Sequence, residues 1–150
     1  MKRLKLKIPP LILMIVFGIL SFFVSKFDPF IFGNFRLLPL FMGGVGGVIS
    51  LWSVVIFKNE KTTVDPMNPN KSNNLVVNGV YKYSRNPMYL SFYLWLLAWS
   101  IYLSSPLSIL FSLFFVLYLN IFQILPEEKV LIEKFGKSYK DYIESVRRWI

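Results

Sequence analysis

The 150-residue chain contains no cysteine and no histidine. Without them there can be no disulfide, no thiolate nucleophile, no histidine general base and no zinc site built from cysteine and histidine. We expect no metal site of any kind. Catalytic chemistry would have to come from carboxylates, tyrosines, lysines, arginines, asparagines or serines, or from a bound cofactor.

Charged residues are also scarce, at 17% of the chain, whereas 55% of the residues are hydrophobic. Soluble domains rarely exceed about half apolar composition. Here the apolar residues form runs close to the roughly 20 residues that a helix needs to cross a bilayer. These four uncharged runs cover about residues 8–25, 37–57, 87–104 and 106–125. The sequence therefore predicts an all-α integral membrane protein, with four transmembrane helices in a single domain over residues 1–150.

The first apolar run follows the basic stretch MKRLKLK, as the apolar region of a signal peptide would. However, Lys26 and Phe27 stand where a small-residue cleavage site should lie, and three more apolar runs follow. We therefore expect a retained helix. Pro9 and Pro10 suit its first turn, where a missing N–H costs little.

The basic residues are distributed unevenly between the two sides that four crossings would create. Of the 17 lysines and arginines, 15 fall before the first run, between the second and third, or after the fourth. Only Lys26 and Arg36 fall on the other side. This positive-inside pattern predicts cytoplasmic N- and C-termini and a cytosolic loop over residues 58–86. The net charge of +9 is then explained by the orientation of the protein in the membrane and by attraction to anionic lipid headgroups. We therefore expect no nucleic-acid partner.

The second run contains the glycine cluster GGVGG at residues 43–47. A phosphate-binding glycine loop would follow a strand, whereas this cluster lies in the middle of a predicted helix. Gly43 and Gly47 are four residues apart, a spacing that lets transmembrane helices approach closely. We expect the cluster to pack helices, and it would permit a homodimer.

The tail predicts a C-terminal amphipathic helix over about residues 127–148, with a bend at Gly136. Its apolar and aromatic positions recur every three or four residues, at Leu131, Phe135, Tyr139, Tyr142, Val146 and Trp149. Such a helix would lie on the membrane surface. Its aromatic face could at the same time cover a site.

The last two apolar runs should form a helical hairpin. Asn86 is a good residue for capping a helix through its side chain and Pro87 fits the first helical position, so the pair predicts a helix start. The third run would extend about 27 Å at 1.5 Å per residue. Ser104–Pro106 predicts a tight turn, and the fourth run returns over a similar length to Pro126. The pair Glu127–Glu128 should therefore emerge beside the segment YKYSRNPMY at residues 81–89.

This junction would combine groups suited to a zwitterionic, nucleoside-like ligand. A helix N-terminus binds a carboxylate or phosphate, and Arg85 adds a planar array of donors. The Glu127–Glu128 pair could bind an ammonium group or ribose hydroxyls. Tyr81, Tyr83 and Tyr89 could stack on a flat ring. The same residue types are also ordinary at membrane interfaces, so a purely structural role stays open.

The segment RNPMY at 85–89, followed after a hairpin by Glu127–Glu128, resembles the Arg-His-Pro-x-Tyr … Glu-Glu signature of isoprenylcysteine carboxyl methyltransferases and the related phospholipid N-methyltransferases. The similarity also includes TTV-x-P at 62–66, NGVYKYSRNPMYL at 78–90 and the tail at 127–150, so it covers about residues 62–150. It implies an S-adenosylmethionine-dependent methyltransferase, with S-adenosylhomocysteine as product. It also implies a lipid or prenylated acceptor that reaches the cofactor from the bilayer.

The resemblance also implies site residues. Glu127 and Glu128 would supply the carboxylates, and with Arg85 they form the implied catalytic set. A carboxylate acceptor needs no base, whereas an amine acceptor would pass its proton to Glu127, Glu128 or a tyrosine-bound water. We expect Glu127 or Glu128 to bind the cofactor rather than take a proton. Asn86 stands where the family motif often has histidine, so a base at that position would be missing. The full set of expected cofactor contacts is Tyr81, Tyr83, Arg85, Asn86, Pro87, Met88, Tyr89, Glu127, Glu128, Tyr139, Tyr142 and Arg148.

Two alternatives to a methyltransferase remain. Membrane reductases of the sterol type bind NADPH and carry a similar junction, but they typically continue with Gly-Glu where this chain has Leu90–Ser91. A non-catalytic small membrane protein would use the basic face to bind anionic lipids. An ion transporter is disfavoured, because the apolar runs contain no ionisable residue to mark a pathway. The sequence does not distinguish a prenylated cysteine, a phospholipid amine or another isoprenoid as acceptor.

Overall fold

The computed structural model describes residues 6–33, 35–60, 67–69, 72 and 74–150, and it contains no strand within them. The elements in chain order are α1 (Pro10–Ser25), α2 (Leu37–Asn59), a 3₁₀ turn (Gly79–Lys82), α3 (Pro87–Tyr102), α4 (Pro106–Leu119), a π turn (Asn120–Ile124), α5 (Leu125–Phe135) and α6 (Lys137–Ser145). The all-helical prediction is confirmed for this part of the chain. The motif TTV-x-P at 62–66 lies outside the described residues.

Among the residues that the structure describes, two helical segments are long and apolar enough to cross a membrane. They are Leu37–Asn59, with a mean hydropathy of 2.0, and the continuous stretch Pro106–Phe135, with 2.1. The helices at the other two predicted crossings, α1 and α3, have 16 residues each. On α2, Leu37 and Leu40 are 81% and 74% exposed, which leaves an extended apolar surface of the kind that membranes or partners cover.

Helix α3 is central, because α1, α2 and α4 all pack against it. The buried core between these helices consists of Leu13, Tyr89, Leu96, Phe115, Leu119 and Ile124. Near the α3–α4 turn, buried serines join the helices: the Ser100 hydroxyl donates to the Ser108 carbonyl at 2.9 Å, and the Ser108 hydroxyl donates to the Ser21 carbonyl at 2.8 Å. Such hydroxyl-to-carbonyl bonds suit apolar helices, where small side chains allow close approach.

The glycine cluster does pack α2 against α3, but through a different residue from those predicted. A Cβ at Gly46 would lie 2.8 Å from Nε1 of Trp95, too close for any side chain. The same Nε1 donates to the Gly43 carbonyl at 3.0 Å. A Cβ at Gly43 or Gly47 would meet nothing within 4 Å in the described chain, so the predicted pairing through these two residues is wrong within one molecule.

The predicted amphipathic helix over 127–148 is in fact two helices. Gly136 separates α5 from α6 and has φ +56°, a conformation that residues with a Cβ rarely adopt. Helix α6 ends at Ser145, and Val146 is extended, with φ −127° and ψ 132°. Residues 146–150, here called the strap, therefore leave the helix earlier than the sequence predicted and run back toward the start of α3.

Candidate functional site

A cavity of about 310 Å³ lies where α3 begins and where α5 and α6 pass over it. This volume is at the lower end of the roughly 300–1,000 Å³ range of small-molecule sites. Ten of the twelve predicted contact residues line it: Tyr81, Arg85, Asn86, Pro87, Met88, Tyr89, Glu127, Glu128, Tyr139 and Tyr142. Arg148 lies just behind the wall, whereas Tyr83 is 77% exposed and is not among the lining residues.

The hairpin brings together the two motifs that the sequence separates. Arg85 Nη2 lies 2.8 Å from Glu128 Oε1, although 43 positions separate the residues. The Tyr89 hydroxyl donates to Glu127 Oε2 at 2.9 Å across 38 positions. The predicted proximity of the acidic pair to the start of α3 is therefore confirmed.

Glu128 is fully engaged by arginines. Besides Arg85, it accepts hydrogen bonds from Arg148 Nη2 at 2.7 Å and from Arg148 Nε at 3.1 Å. Such charge-assisted bonds are short and strong, and the Glu128 and Arg85 side chains are only 10% and 7% exposed. Because both of its oxygens are occupied by cations, Glu128 joins the strap to the start of α3.

Glu127 is in a different electrostatic situation. It lines the cavity and accepts a hydrogen bond from Tyr89, but it has no basic partner within ion-pair distance among the described residues. A carboxylate removed from water is stabilised by a cation or by several donors. Glu127 is therefore the carboxylate of the pair that remains available to a cationic or hydroxyl-bearing ligand.

Arg85 serves mainly to hold the tail. Its Nη1 donates to the carbonyls of Ile143 and Val146, and its backbone N–H donates to the carbonyl of Arg147 at 3.0 Å. Its Nε is buried without a hydrogen-bond partner in the described chain. The side chain thus forms part of the cavity wall while most of its donors are already used within the protein.

Asn86 begins α3 as predicted, but its side chain does not cap the helix. Instead, Asn86 Nδ2 donates to the carbonyl of Arg148 at 3.0 Å, and the Asn86 N–H donates to Ser84 Oγ at 3.1 Å. The expectation of a side-chain cap is therefore wrong. The amide reaches the strap, and the first turn of α3, with Pro87 and Met88 in the cavity wall, keeps the uncapped N-terminus of the helix beside the cavity.

Three tyrosines form a roof beneath α6. The Tyr142 hydroxyl donates to the Tyr81 carbonyl at 2.7 Å, and the rings of Tyr139 and Tyr142 lie 6.0 Å apart. Burial raises the pKa of Tyr81, Tyr139 and Tyr142 above the ordinary value. The hydroxyls therefore stay protonated at neutral pH and act as neutral hydrogen-bonding groups.

The apolar part of the cavity wall was not predicted from the sequence. It consists of Pro9, Pro10, Leu11, Phe57, Leu75, Val76, Phe92, Leu131 and Phe135. Leu131 and Phe135 were recognisable as part of the aromatic face of the tail. The segment at 75–76 and the start of α1 gave no signal, because their position depends on how distant helices pack.

A second concavity, of about 510 Å³, runs between α1 and α3. It is lined by Met14, Ile15, Gly18, Ile19, Phe22, Phe23, Trp95, Leu96 and Trp99. The Trp95 indole donates to the Gly43 carbonyl, and the Trp99 indole donates to the Gly18 carbonyl at 3.1 Å. Both indole donors are thus satisfied, which leaves an apolar groove, here called the α1–α3 groove.

Comparison with known proteins shows related sequences. Residues 35–138 match the phospholipid methyltransferase family. A protein of Haemophilus influenzae described as "Uncharacterized protein" is 48% identical over 63 residues, which are 42% of this chain and 100% of that protein. A "Protein-S-isoprenylcysteine O-methyltransferase" of Dictyostelium discoideum is 40% identical over 78 residues, which are 48% of this chain and 30% of that enzyme.

A "Protein-S-isoprenylcysteine O-methyltransferase A" of Arabidopsis thaliana is 31% identical over 115 residues, which are 75% of this chain and 56% of that enzyme. The chain thus spans about a third to about half of the length of these methyltransferases. The family match covers more than half of the chain and includes both the start of α3 and Glu127–Glu128. This chain therefore belongs to the phospholipid methyltransferase family.

Proposed function

We propose that this protein is an integral membrane enzyme that transfers a methyl group from S-adenosylmethionine to a lipid or prenylated acceptor at the cytosolic membrane face. The observation that carries the proposal is the composition of the cavity. It combines an uncapped helix N-terminus, a carboxylate without a basic partner in the described chain and a tyrosine roof within one space of about 310 Å³.

The cavity residues fit the chemical groups of S-adenosylmethionine. The N-terminus of α3 suits the carboxylate of the amino-acid part, and Glu127 suits its ammonium group or the ribose hydroxyls. The rings of Tyr81, Tyr139 and Tyr142 offer a flat, partly polar surface to a base. When bound, this cofactor supplies a methyl group that is already activated on a sulfonium centre.

With such a donor, the protein mainly has to align the reactants and exclude water. The Glu128 ion pairs with Arg85 and Arg148 hold the strap against the start of α3 and so help to close the cavity. The Tyr89 hydroxyl fixes the position of Glu127. A carboxylate acceptor would need no base, whereas an amine acceptor would have to lose a proton. Glu127 lines the cavity without a basic partner in the described chain and could accept that proton.

The α1–α3 groove supports an acceptor with a hydrocarbon chain. It begins one helical turn beyond the cavity: Leu11 and Phe92 line the cavity, and Met14, Ile15 and Trp95 line the groove. An apolar chain in this groove would be solvated by apolar side chains along its length. Its polar end would then point toward the cavity.

The membrane topology that accompanies this function has four crossings, with α1, α2, α3 and α4 as the spans and both termini cytoplasmic. Helix α3 would cover about 24 Å at 1.5 Å per residue, somewhat less than the roughly 30 Å bilayer core. The positive-inside distribution supports the orientation. The open side of Gly43 and Gly47 would allow a homodimer through α2.

The decisive experiment measures transfer of a labelled methyl group from S-adenosylmethionine into a total lipid extract, with identification of the product. We expect a labelled lipid and thermal stabilisation of the detergent-solubilised protein by S-adenosylhomocysteine. Stabilisation by NADPH instead would favour a reductase of the sterol type. Absence of binding to either compound would favour a non-catalytic membrane protein. Tyr83→Phe alters an exposed residue outside the cavity and serves as the control variant, which should bind and react as the unmodified protein does.

A further inference from the structure

The junction between α4 and α5 contains one turn that is wider than an α-helix. In the π turn Asn120–Ile124, the N–H of Leu125 donates to the carbonyl of Asn120, five residues earlier. An α-helix uses a spacing of four residues. Single π turns occur frequently at functional sites, and this one immediately precedes the two glutamates of the cavity.

Pro126 removes one hydrogen bond from the helical ladder next to this turn. It has no N–H to offer to the carbonyl of Phe122, and its ring would collide with that carbonyl in a regular α-helix. The Phe122 carbonyl instead accepts a hydrogen bond of 3.1 Å from the N–H of Leu6. Leu6 makes this bond in a conformation that is disfavoured for a leucine, with φ +55°.

The strap contacts the helix at the start of this turn and after its end. Trp149 Nε1 donates to Oδ1 of Asn120, the first residue of the turn, at 3.3 Å. Its neighbour Arg148 binds Glu128, after the turn, through two hydrogen bonds. Adjacent residues of the strap thus bind the helix at the first residue of the wide turn and four residues beyond its end.

The turn sets which side chains face the cavity. A π turn contains one residue more than an α-helical turn. The side chains after it therefore point in the directions that they would have in a regular α-helix from which one residue had been deleted. If Asn120–Ile124 relaxed to an α-helix, every later residue would rotate by about 100° around the axis. Glu127 would then take the position of Glu128, and Pro126 would take the position of Glu127.

We propose that the π turn, held by Leu6 and Trp149, sets the helical register of α5, so that Glu127 faces the cavity and Glu128 faces the two arginines. These groups are positioning residues, since they act through the glutamates. The role of the glutamates rests on the proposed function, whereas the register itself can be measured without any ligand.

The test shortens and lengthens the turn by one residue. Both variants carry Pro126→Ala so that the proline ring does not decide the outcome. One variant lacks Ile121, a half-exposed residue. This deletion removes the extra residue of the π turn, so the turn can become α-helical while Glu127 and Glu128 keep their present directions. Insertion of one alanine after Ile121 adds a residue that the turn cannot absorb.

We expect the shortened variant to bind S-adenosylhomocysteine within about threefold of its Pro126→Ala parent, and the lengthened variant to lose at least about tenfold in affinity. In an ordinary α-helix both changes rotate the following residues equally and would be equally harmful. Equal losses, or equal retention, would overturn the proposal. Helix content by circular dichroism verifies that both variants fold.

A second readout separates this inference from the proposed function. Because the chain has no cysteine, Lys129→Cys introduces a single thiol at an exposed position of α5. Labelling by a membrane-impermeant maleimide should persist in the shortened variant and slow in the lengthened one, where the thiol moves to the partly buried position of Val130. If the unmodified protein binds no S-adenosylhomocysteine, the proposed function fails, but unequal labelling of the two variants still supports the role of the π turn in setting the register, and equal labelling refutes it.

Discussion

The Tyr89 hydroxyl donates a hydrogen bond of 2.9 Å to Glu127, whereas the neighbouring Glu128 is bound by two arginines. Adjacent carboxylates thus have opposite electrostatic environments: one is compensated within the protein, and the other lacks a basic partner in the described chain. This difference separates the expected effects of two otherwise identical substitutions.

Glu127→Gln should impair ligand binding without unfolding the protein. The amide keeps the shape and an acceptor for Tyr89 but removes the charge that would face an ammonium group. We expect the affinity for S-adenosylhomocysteine to fall by about tenfold or more, with little change in the thermal midpoint. Isothermal titration calorimetry and a thermal melt in detergent measure the two quantities.

Glu128→Gln should act on stability first. It leaves the buried Arg85 guanidinium without its carboxylate, and breaking a buried ion pair costs about 3 kcal/mol in the free energy of unfolding. Chemical denaturation in detergent would measure the loss. If Glu127→Gln destabilised the protein as much as Glu128→Gln does, the division of roles between the two glutamates would be wrong.

Arg148→Lys should loosen the strap. Lysine keeps the charge but cannot reproduce the forked contact of Arg148 Nε and Nη2 with Glu128. We expect faster hydrogen exchange of the amides in residues 146–150, measured by mass spectrometry. Arg147→Lys is the matched control, because the Arg147 side chain is exposed and only its carbonyl is used; comparable exchange in both variants would contradict the assignment.

Tyr142→Phe should destabilise the roof of the cavity. It removes the donor to the buried Tyr81 carbonyl, and an unsatisfied buried acceptor costs about 1–3 kcal/mol. The measured quantity is the denaturation midpoint. Tyr83→Phe deletes the same atom from an exposed side chain and should leave the midpoint unchanged. Equal midpoints for the two variants would show that the Tyr142 hydrogen bond contributes nothing.

Gly46→Ala should disrupt the contact between α2 and α3, whereas Gly44→Ala should not. The added methyl group at Gly46 would lie 2.8 Å from Trp95, but at Gly44 it would meet nothing within 4 Å. Overpacking typically costs about 1–3 kcal/mol, while alanine is the better helix former at an open position. The thermal midpoint should therefore fall in Gly46→Ala and stay the same or rise in Gly44→Ala. Equal shifts of the two midpoints would contradict this contact.

The helices and the main neighbours of the site could be predicted from the sequence, because local signals determine them. Uncharged apolar runs, Asn86–Pro87 at a helix start and a hairpin of matched lengths were sufficient to bring Glu127–Glu128 to Arg85. The division of labour between the glutamates could not be predicted, since it depends on where Arg148 lies. The π turn escaped prediction as well: Pro126 was interpreted as the end of a span, whereas the helix continues through it because Leu6 satisfies the Phe122 carbonyl.

The strap is recognised largely through its main chain. Arg85, Ser84 and Asn86 bind the carbonyl oxygens of Val146, Arg147 and Arg148 and thereby ignore the identity of most side chains there. The outward-facing side chains of this segment can consequently vary without changing the hydrogen bonds that hold its main chain over the pocket. Sequence divergence among relatives should concentrate on those outward positions, while the residues that hold the carbonyls should change little.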